Sequence, residues 1–372
     1  MRRKRGHLIR AALAAVSAVV VLAAWAPETG ATTGTFVPQT RVSIDGTRFR
    51  INGRYTNPNS PARGLLINTR MANGIFDDAN PDTTWQWEYP DTGVWDPQRN
   101  TDEFVARLPA YARDGIDMVT VGLQGGDPDP LRSETGSIHP EIVTAFGPNG
   151  ELDPAWMARL DEVIRAADRV GIVVDVSLFY RWQDQHITTD QGVWNAVDNV
   201  TDWLVNGGYT NVLLEICNEC NVPAFDHDIL IRENVWQLIR EAQARSGGKL
   251  LVSSSFGGVK VPMSPESTIA QSDFIAVHCD GKTADEMPAS VKAIRTTAEY
   301  QAHPKPIVFN ECGTDLTKMD AALALNTSWG YFDQGTNNYH DGLQSPAINW
   351  RINTSAKRAF FAHALEVTTP AA

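Results

Sequence analysis

Two stretches decide how this sequence is read: Asn211-Val-Leu-Leu-Glu215-Ile-Cys217-Asn218-Glu219 and Pro306-Ile-Val-Phe-Asn310-Glu311-Cys312-Gly313. Each is a short, nearly continuous run of Val, Ile, Leu and Phe that ends in Asn-Glu. A run this apolar suits a strand covered on both faces, as parallel strands are. A carboxylate at its end lies where the strand leaves the core. Working outward, runs of the same type fall at residues 64–68, 116–122, 171–179, 250–255, 274–278 and 328–332. With 211–217 and 306–310 they make eight.

Helical patterns separate the runs. Asp153 can cap a helix with Pro154 at its first position and Gly171 past its end, and Leu160, Val163, Ile164 and Ala167 give it an apolar stripe. Asn100 and Glu103 form a capping-box pattern ahead of Phe104, Leu108 and Tyr111, and residues 356–365 read as the last helix. Strand–helix alternation implies βαβ units. Ahead of them, Val42, Ile44, Phe49 and Ile51 alternate with polar residues around Asp45-Gly46, with Asn52-Gly53 as a second turn. This predicts a β-hairpin over 41–54, of the kind that closes a barrel at the bottom. The predicted fold is a (β/α)8 TIM barrel over 41–368 with an N-terminal β-hairpin. The length of 372 residues suits one such domain, since barrels run from about 250 residues to past 400. A doubly wound sheet is the rival, but no Gly-rich phosphate loop follows any strand.

The first 26 residues read as a secretory signal peptide. Arg2, Arg3, Lys4 and Arg5 precede an apolar run from Ala11 to Ala24 and a small-residue cleavage site at Ala24-Trp25-Ala26. An uncleaved anchor is the alternative, but the run falls short of the roughly 20 residues that span a bilayer. Residues 27–40 read as a linker. Cleavage removes five cations and no acid, taking the formal charge from −12 to −17. Such a surface repels nucleic acid and anionic lipid. The expectation is a secreted, extracellular protein that binds neither nucleic acid nor, once the signal is gone, membrane.

Two long segments, about 69–100 and 123–153, leave the C-terminal ends of the first two strands, the face where barrel active sites lie. The first carries Trp85, Trp87, Tyr89 and Trp95. These rings either stack on sugar faces or hold the loop together. Hydrolysing a glycosidic bond with retention takes two carboxyl groups about 5–5.5 Å apart, one protonated and one ionised. A barrel supplies them when acids from well-separated strands meet at its rim.

The Asn-Glu ends of the fourth and seventh strands resemble the cellulase-like clan of (β/α)8 glycoside hydrolases (clan A), with family five its nearest member. The resemblance spans the hairpin to the last helix. It implies Glu219 as acid/base, Glu311 as nucleophile, Asn218 as a partner of the hydroxyl beside the reacting carbon, and His278 as a lining residue. Gln124, Tyr180 and Trp329, at the ends of the second and third strands and on the eighth, complete the expected substrate-binding set. The implied function is a secreted retaining glycosidase acting on β-linked oligo- or polysaccharide. The alternative is a carbohydrate-binding or cell-wall-associated barrel without turnover.

The chain departs from the clan at several positions. Thr120 stands where the second strand usually carries Arg, and Arg70 or Arg181 could supply that charge. Cys220 replaces the usual Pro after Asn-Glu. His278-Cys279-Asp280 replaces His-x-Tyr, and the third strand ends without His. Glu215 shares the parity of Glu219 and reads as a structural acid deeper in the barrel. The eight His contain no His-x-His or His-Glu-x-x-His, so neither metal nor cofactor is expected. No Gly-x-Ser-x-Gly elbow surrounds Ser253, Ser254 or Ser255, and no Cys–His signature supports Cys220 or Cys312 as a nucleophile. Cys217-x-x-Cys220 permits zinc or redox chemistry, which export and the lack of a second such pair disfavour. If His278 and Glu311 point inward, Cys279 and Cys312 point outward on neighbouring strands, placed for a disulfide.

Overall fold

Strands buried on both faces need helices outside and a filled interior, and the chain meets both needs with one sheet. The computed structural model describes residues 36–125, 139–222, 224–257, 266–335 and 339–370. The predicted signal peptide 1–26 and the linker up to residue 35 lie outside them. Three short antiparallel strands come first: β1 (Val42–Asp45), β2 (Arg48–Ile51) and β3 (Arg54–Tyr55). Eight parallel strands follow: β4 (Ile67–Arg70), β5 (Met118–Gly122), β6 (Val173–Phe179), β7 (Val212–Cys217), β8 (Leu251–Ser253), β9 (Ile275–His278), β10 (Ile307–Glu311) and β11 (Ser328–Tyr331). All eight predicted strands are present. Their order is β8-β7-β6-β5-β4-β11-β10-β9. The ring closes between β8 and β9 through Asp273 N donating to Val252 O (2.9 Å) and His278 N to Phe256 O (3.0 Å). This is the (β/α)8 barrel.

The helices are α1 (Pro97–Val105), α2 (Leu108–Arg113), α3 (Pro154–Val170), α4 (Asp190–Gly207), α5 (Trp236–Ser246), α6 (Glu266–Gln271), α7 (Met287–Arg295), α8 (Ala298–Ala302), α9 (Leu316–Ala324) and α10 (Ser355–Thr368). None of the helices among the described residues is long and apolar enough to cross a membrane. The caps of α3 are those expected: Asp153 accepts from Ala155 N and Trp156 N, and Gly171 takes φ +82°. The start of α1 is not. Asp96 caps it and Pro97 opens it, while Asn100 is buried and donates to Asn73 O. An Asp-Pro step fixes the entry before the Asn100–Glu103 pair can.

The predicted hairpin is a three-stranded meander. Asp45 pairs with Arg48, so the turn is Gly46-Thr47, one residue later than expected, and Asn52-Gly53 leads into β3. Val42 and Phe49 enter the barrel floor against Leu66, Met118, Val173, Leu213, Phe274, Ala276 and Val308. The end of the predicted linker belongs to the fold: Gln39 and Thr40 amides donate to the Asp168 carboxylate, and Phe36 packs on Tyr209.

Above the apolar floor lies a polar layer. Asn68 Nδ2 donates to Thr120 Oγ1 (3.1 Å), and Asn310 Nδ2 to Glu215 Oε1 (3.3 Å). Asp175 lies 3.3 Å from Thr120 Oγ1, and burial, then Glu215, pushes it up to about 8. Glu215 is fully buried here, the structural position its parity implied. Gly330 faces this layer, where an added Cβ would lie 2.4 Å from Asn310 O. Its neighbours Trp329 and Tyr331 therefore face the helices, packing on Phe360 of α10.

Candidate active site

At the C-terminal rim lies a cavity of about 270 Å³, lined by Arg70, Tyr180, Arg181, Asn218, Glu219, Asp280, Glu311, Phe332, Gln334 and Gln344. Two breaks in regular strand geometry aim its acids. The β9–β10 register slips between Phe309 and Glu311, a bulge that lets Asn310 reach Glu215 in the layer below while Glu311 enters the cavity. Just past β7, Glu219 takes φ +54°, so it and Asn218 both line the cavity. Positive φ is uncommon for a residue with a Cβ. The surrounding chain holds it: Asn218 N donates to Phe179 O, Glu219 N to Ser255 Oγ and Cys220 N to Ser255 O.

His278 joins the two acids. Its Nδ1 lies 3.0 Å from Glu219 Oε1 and 3.7 Å from Glu311 Oε2. Carboxylate oxygens of Glu219 and Glu311 and the His278 nitrogen all lie within 4.8 Å of one another. Each acid also has its own arginine. Arg70 Nε sits 2.7 Å from Glu311 Oε2, Nη1 3.7 Å from Glu215, and Nη2 donates to Asn218 Oδ1 (2.6 Å). Arg181 Nη1 sits 3.0 Å from Glu219 Oε2, with its guanidinium over the Trp182 ring. The first strand thus supplies the charge that the second lacks, and Thr120 lies below in the polar layer.

Burial acts against ionising Glu219, but the hydrogen bond from His278 and the charges of His278 and Arg181 outweigh it, lowering the carboxyl to about 2. Burial pushes Glu311 up, opposed first by Arg70. Arg70 cannot shed its proton, and a lone buried guanidinium is costlier than the pair, so Glu311 stays ionised against it. Burial, then the charge of Glu311, pushes Asp280 up to about 8.

The predicted site residues divide. Glu219, Glu311, Asn218 and Tyr180 line the cavity, and His278 lies beneath them, fully buried. Trp329 does not; Phe332, beyond the turn-out of β11, holds the position foreseen for it. Gln124 does not either. Its Nε2 donates to Thr144 Oγ1 and Gln183 O, and its Oε1 accepts from Tyr180 N, so it ties the loops after β5 and β6 together. Asp280 stands where the clan's His-x-Tyr has Tyr, a position the sequence marks only as a departure, while Phe332, Gln334 and Gln344 have no motif to announce them. The long first loop is held by its own rings and by Asp78. Trp87 and Trp95 pack edge-on to Phe76, Tyr89 stacks on Trp95, and Asp78 accepts from Trp87 Nε1 and Thr83 Oγ1. Only Trp85 of the four rings is largely exposed.

Cys279 and Cys312 form the expected disulfide, while Cys217 and Cys220 are buried thiols. Among the described residues, the acids and His278 of this cavity are the one grouping with metal-like spacing. Arg70 and Arg181 already place positive charge against both carboxylates, where a cation would have to sit.

No family model matches the chain, and no curated protein matches its sequence. Solved structures match its backbone. A β-mannanase from the blue mussel Mytilus edulis is 13% identical, with a TM-score of 0.52 over 88% of this chain and 96% of the mussel protein. A broad-specificity GH5-4 endoglucanase from Clostridium longisporum is 11% identical, with a TM-score of 0.53 over 84% of this chain and 99% of that one. A Bacteroidetes-affiliated GH5 cellulase is 13% identical, with a TM-score of 0.50 over 82% and 91%. The chain has the (β/α)8 fold on which these glycoside hydrolases are built.

Proposed function

We propose that the protein is a retaining glycoside hydrolase that cleaves β-linked oligo- or polysaccharide, with Glu311 as nucleophile and Glu219 as acid/base. The observation that carries this is the pair of acids on β10 and just past β7, with oxygens within 4.8 Å across a rim cavity. That spacing agrees with the roughly 5–5.5 Å of double displacement rather than the roughly 6.5–9.5 Å that leaves room for a water. Glu311 attacks the anomeric carbon as the bond to the leaving oxygen breaks and Glu219 gives that oxygen its proton. Water, losing a proton to Glu219, then displaces Glu311 from the sugar.

The division of labour follows from the two arginines. Arg70 is buried among acids and holds Glu311 as an anion ready to attack. Arg181 and His278 hold Glu219 ionised, the wrong state for an acid. Arg181 has a fifth of its side chain exposed, and His278 lies in hydrogen-bond contact with Glu219. Glu219 takes up its proton once the pull of both is relieved, with burial and the charge of Glu311 then raising it. Glycosylation of Glu311 removes that charge, and Glu219 falls again to act as base. Asn218, oriented by Arg70, is placed for a sugar hydroxyl, and Phe332 and Tyr180 offer flat faces. The disulfide and the leader sequence support export.

The test is a glycan screen with Glu311→Gln as control, followed by NMR of the first-formed anomer. Release of reducing sugar with the β-anomer first, absent in the variant, is the expected result. The α-anomer first would mean inversion, and binding without release would favour a carbohydrate-binding barrel.

A further inference from the structure

Glu311 has a neighbour that its nucleophilic role leaves unexplained. Asp280 follows β9 by two residues and lines the same cavity as Glu311, whose charge, after burial, raises its carboxyl. Their spacing is fixed from behind. Cys279, just before Asp280, is bonded to Cys312, just after Glu311, and Cys279 N donates to Glu311 O (2.8 Å). Lys318 of α9 donates to both Cys279 O and Cys312 O, at 3.2 Å each. The clamp holds the two strand ends side by side at one cavity, and two neighbouring carboxylates there do not both ionise readily, so one keeps a proton.

Which one keeps it follows from the charges around them. Glu311 faces Arg70 at 2.7 Å. Asp280 faces Glu311 on β10, Glu219 beyond β7 and His278 on its own strand, and only the last favours its anion. We propose that Asp280 is a positioning residue that keeps its proton at neutral pH and donates it in a hydrogen bond to the Glu311 carboxylate, fixing the oxygen presented to the sugar. This rests on the retaining-glycosidase reading. The Glu311 carboxylate is then held by Arg70 on one side and by a neutral donor on the other. A neutral donor holds it in place without adding a second full positive charge that would weaken its attack. Above about pH 8 the donor is lost and a second anion stands beside the nucleophile.

The experiment uses a dinitrophenyl β-glycoside, whose leaving group needs no acid, so kcat/KM reports attack by Glu311 and not proton donation by Glu219. Wild type is expected to lose kcat/KM above about pH 8. Asp280→Ala should lower kcat/KM about 10- to 100-fold, the worth of one hydrogen bond to a charged group, with little change in KM. Asp280→Asn, which still donates but does not titrate, should recover part of that loss and flatten the alkaline limb. An alkaline limb surviving in Asp280→Asn, or an unimpaired Asp280→Ala, overturns the proposal. Infrared difference spectra give a readout independent of turnover. Wild type at neutral pH should show one protonated-carboxyl band more than Asp280→Asn. If no glycoside is cleaved but that band is lost, the glycosidase reading fails while the proton is where it was placed; if the band is unchanged, the placement itself is wrong.

Discussion

On the β9–β10 side of the cavity, everything around Glu311 is braced. A buried Arg70 holds its carboxylate, a disulfide and a buried lysine tie its strand to the next, and Asp280 lines the cavity beside it. On the β6–β7 side, Glu219 sits on a single residue of left-handed backbone, and its acid is shared between buried His278 and a partly exposed arginine on a turn. The contrast matches two kinds of chemistry. A nucleophile must meet one carbon along one line, so its position matters most. A proton donor must change its state twice per cycle, so the charges against it have to be adjustable.

The sharpest way to break this comparison is to remove each acid in turn. Glu311→Gln should lower kcat by about 10⁴-fold or more with every substrate, since no other group forms the covalent bond. Glu219→Ala should be crippled with poor leaving groups only. With an activated aryl glycoside it should still form the glycosyl-enzyme, and azide should release a β-glycosyl azide. A β-azide from Glu311→Ala, with an α-azide from Glu219→Ala, would reverse the roles.

The two arginines should differ in what they do for the fold. Arg70→Met strands Glu311 and Glu215 as buried acids and should cost about 3–5 kcal/mol in urea unfolding. Arg181→Met should cost about 1 kcal/mol or less, because its pair is partly solvated. Equal losses would mean that both sides are equally rigid. The covalent brace comes next. Replacing both Cys279 and Cys312 by Ser frees a loop whose ends are 33 residues apart, which should lower stability by about 3–4 kcal/mol. Unfolding midpoints with and without reductant, in wild type and variant, measure it.

The eight strands, the helix caps of α3 and the rim positions of Glu219 and Glu311 are legible because they depend on local composition: apolar runs, Asp-Pro and Gly signals, and a carboxylate at a strand end. Trp329 belongs to the expected substrate-binding set only if its side chain turns into the barrel. Parity counted from Gly330, the residue with no room for a Cβ, sends it to the helices instead. Gln124 looked like a rim residue and is a loop tie, a role set by partners 20 and 59 residues away. Arg70 was one of two candidates for the missing charge, and only the assembled barrel shows that both are used, one on each acid. The bulge in β10 and the positive φ of Glu219 have no signature in composition. They are what let neighbouring residues serve two layers, and they appear only once the strands are in register.

The smallest expected effect concerns protons on the loose side. Glu219 is lowered to about 2 in the folded protein from an ordinary 4.5, chiefly by the hydrogen bond from His278, then by the charges of His278 and Arg181. A depressed acid contributes stability above its unfolded value, and the contribution is lost as pH falls through the folded one. The stability difference between wild type and Arg181→Gln should therefore be present above about pH 4.5 and shrink as pH falls toward about 2. Urea midpoints taken across that range read it directly. The same substitution removes a cation that opposes protonation of Glu219, so the alkaline limb of kcat/KM for a poor leaving group should move to higher pH. A limb that stays in place would show that Arg181 has already left Glu219 in the substrate complex, and one that moves to lower pH would remove Glu219 from the role of acid.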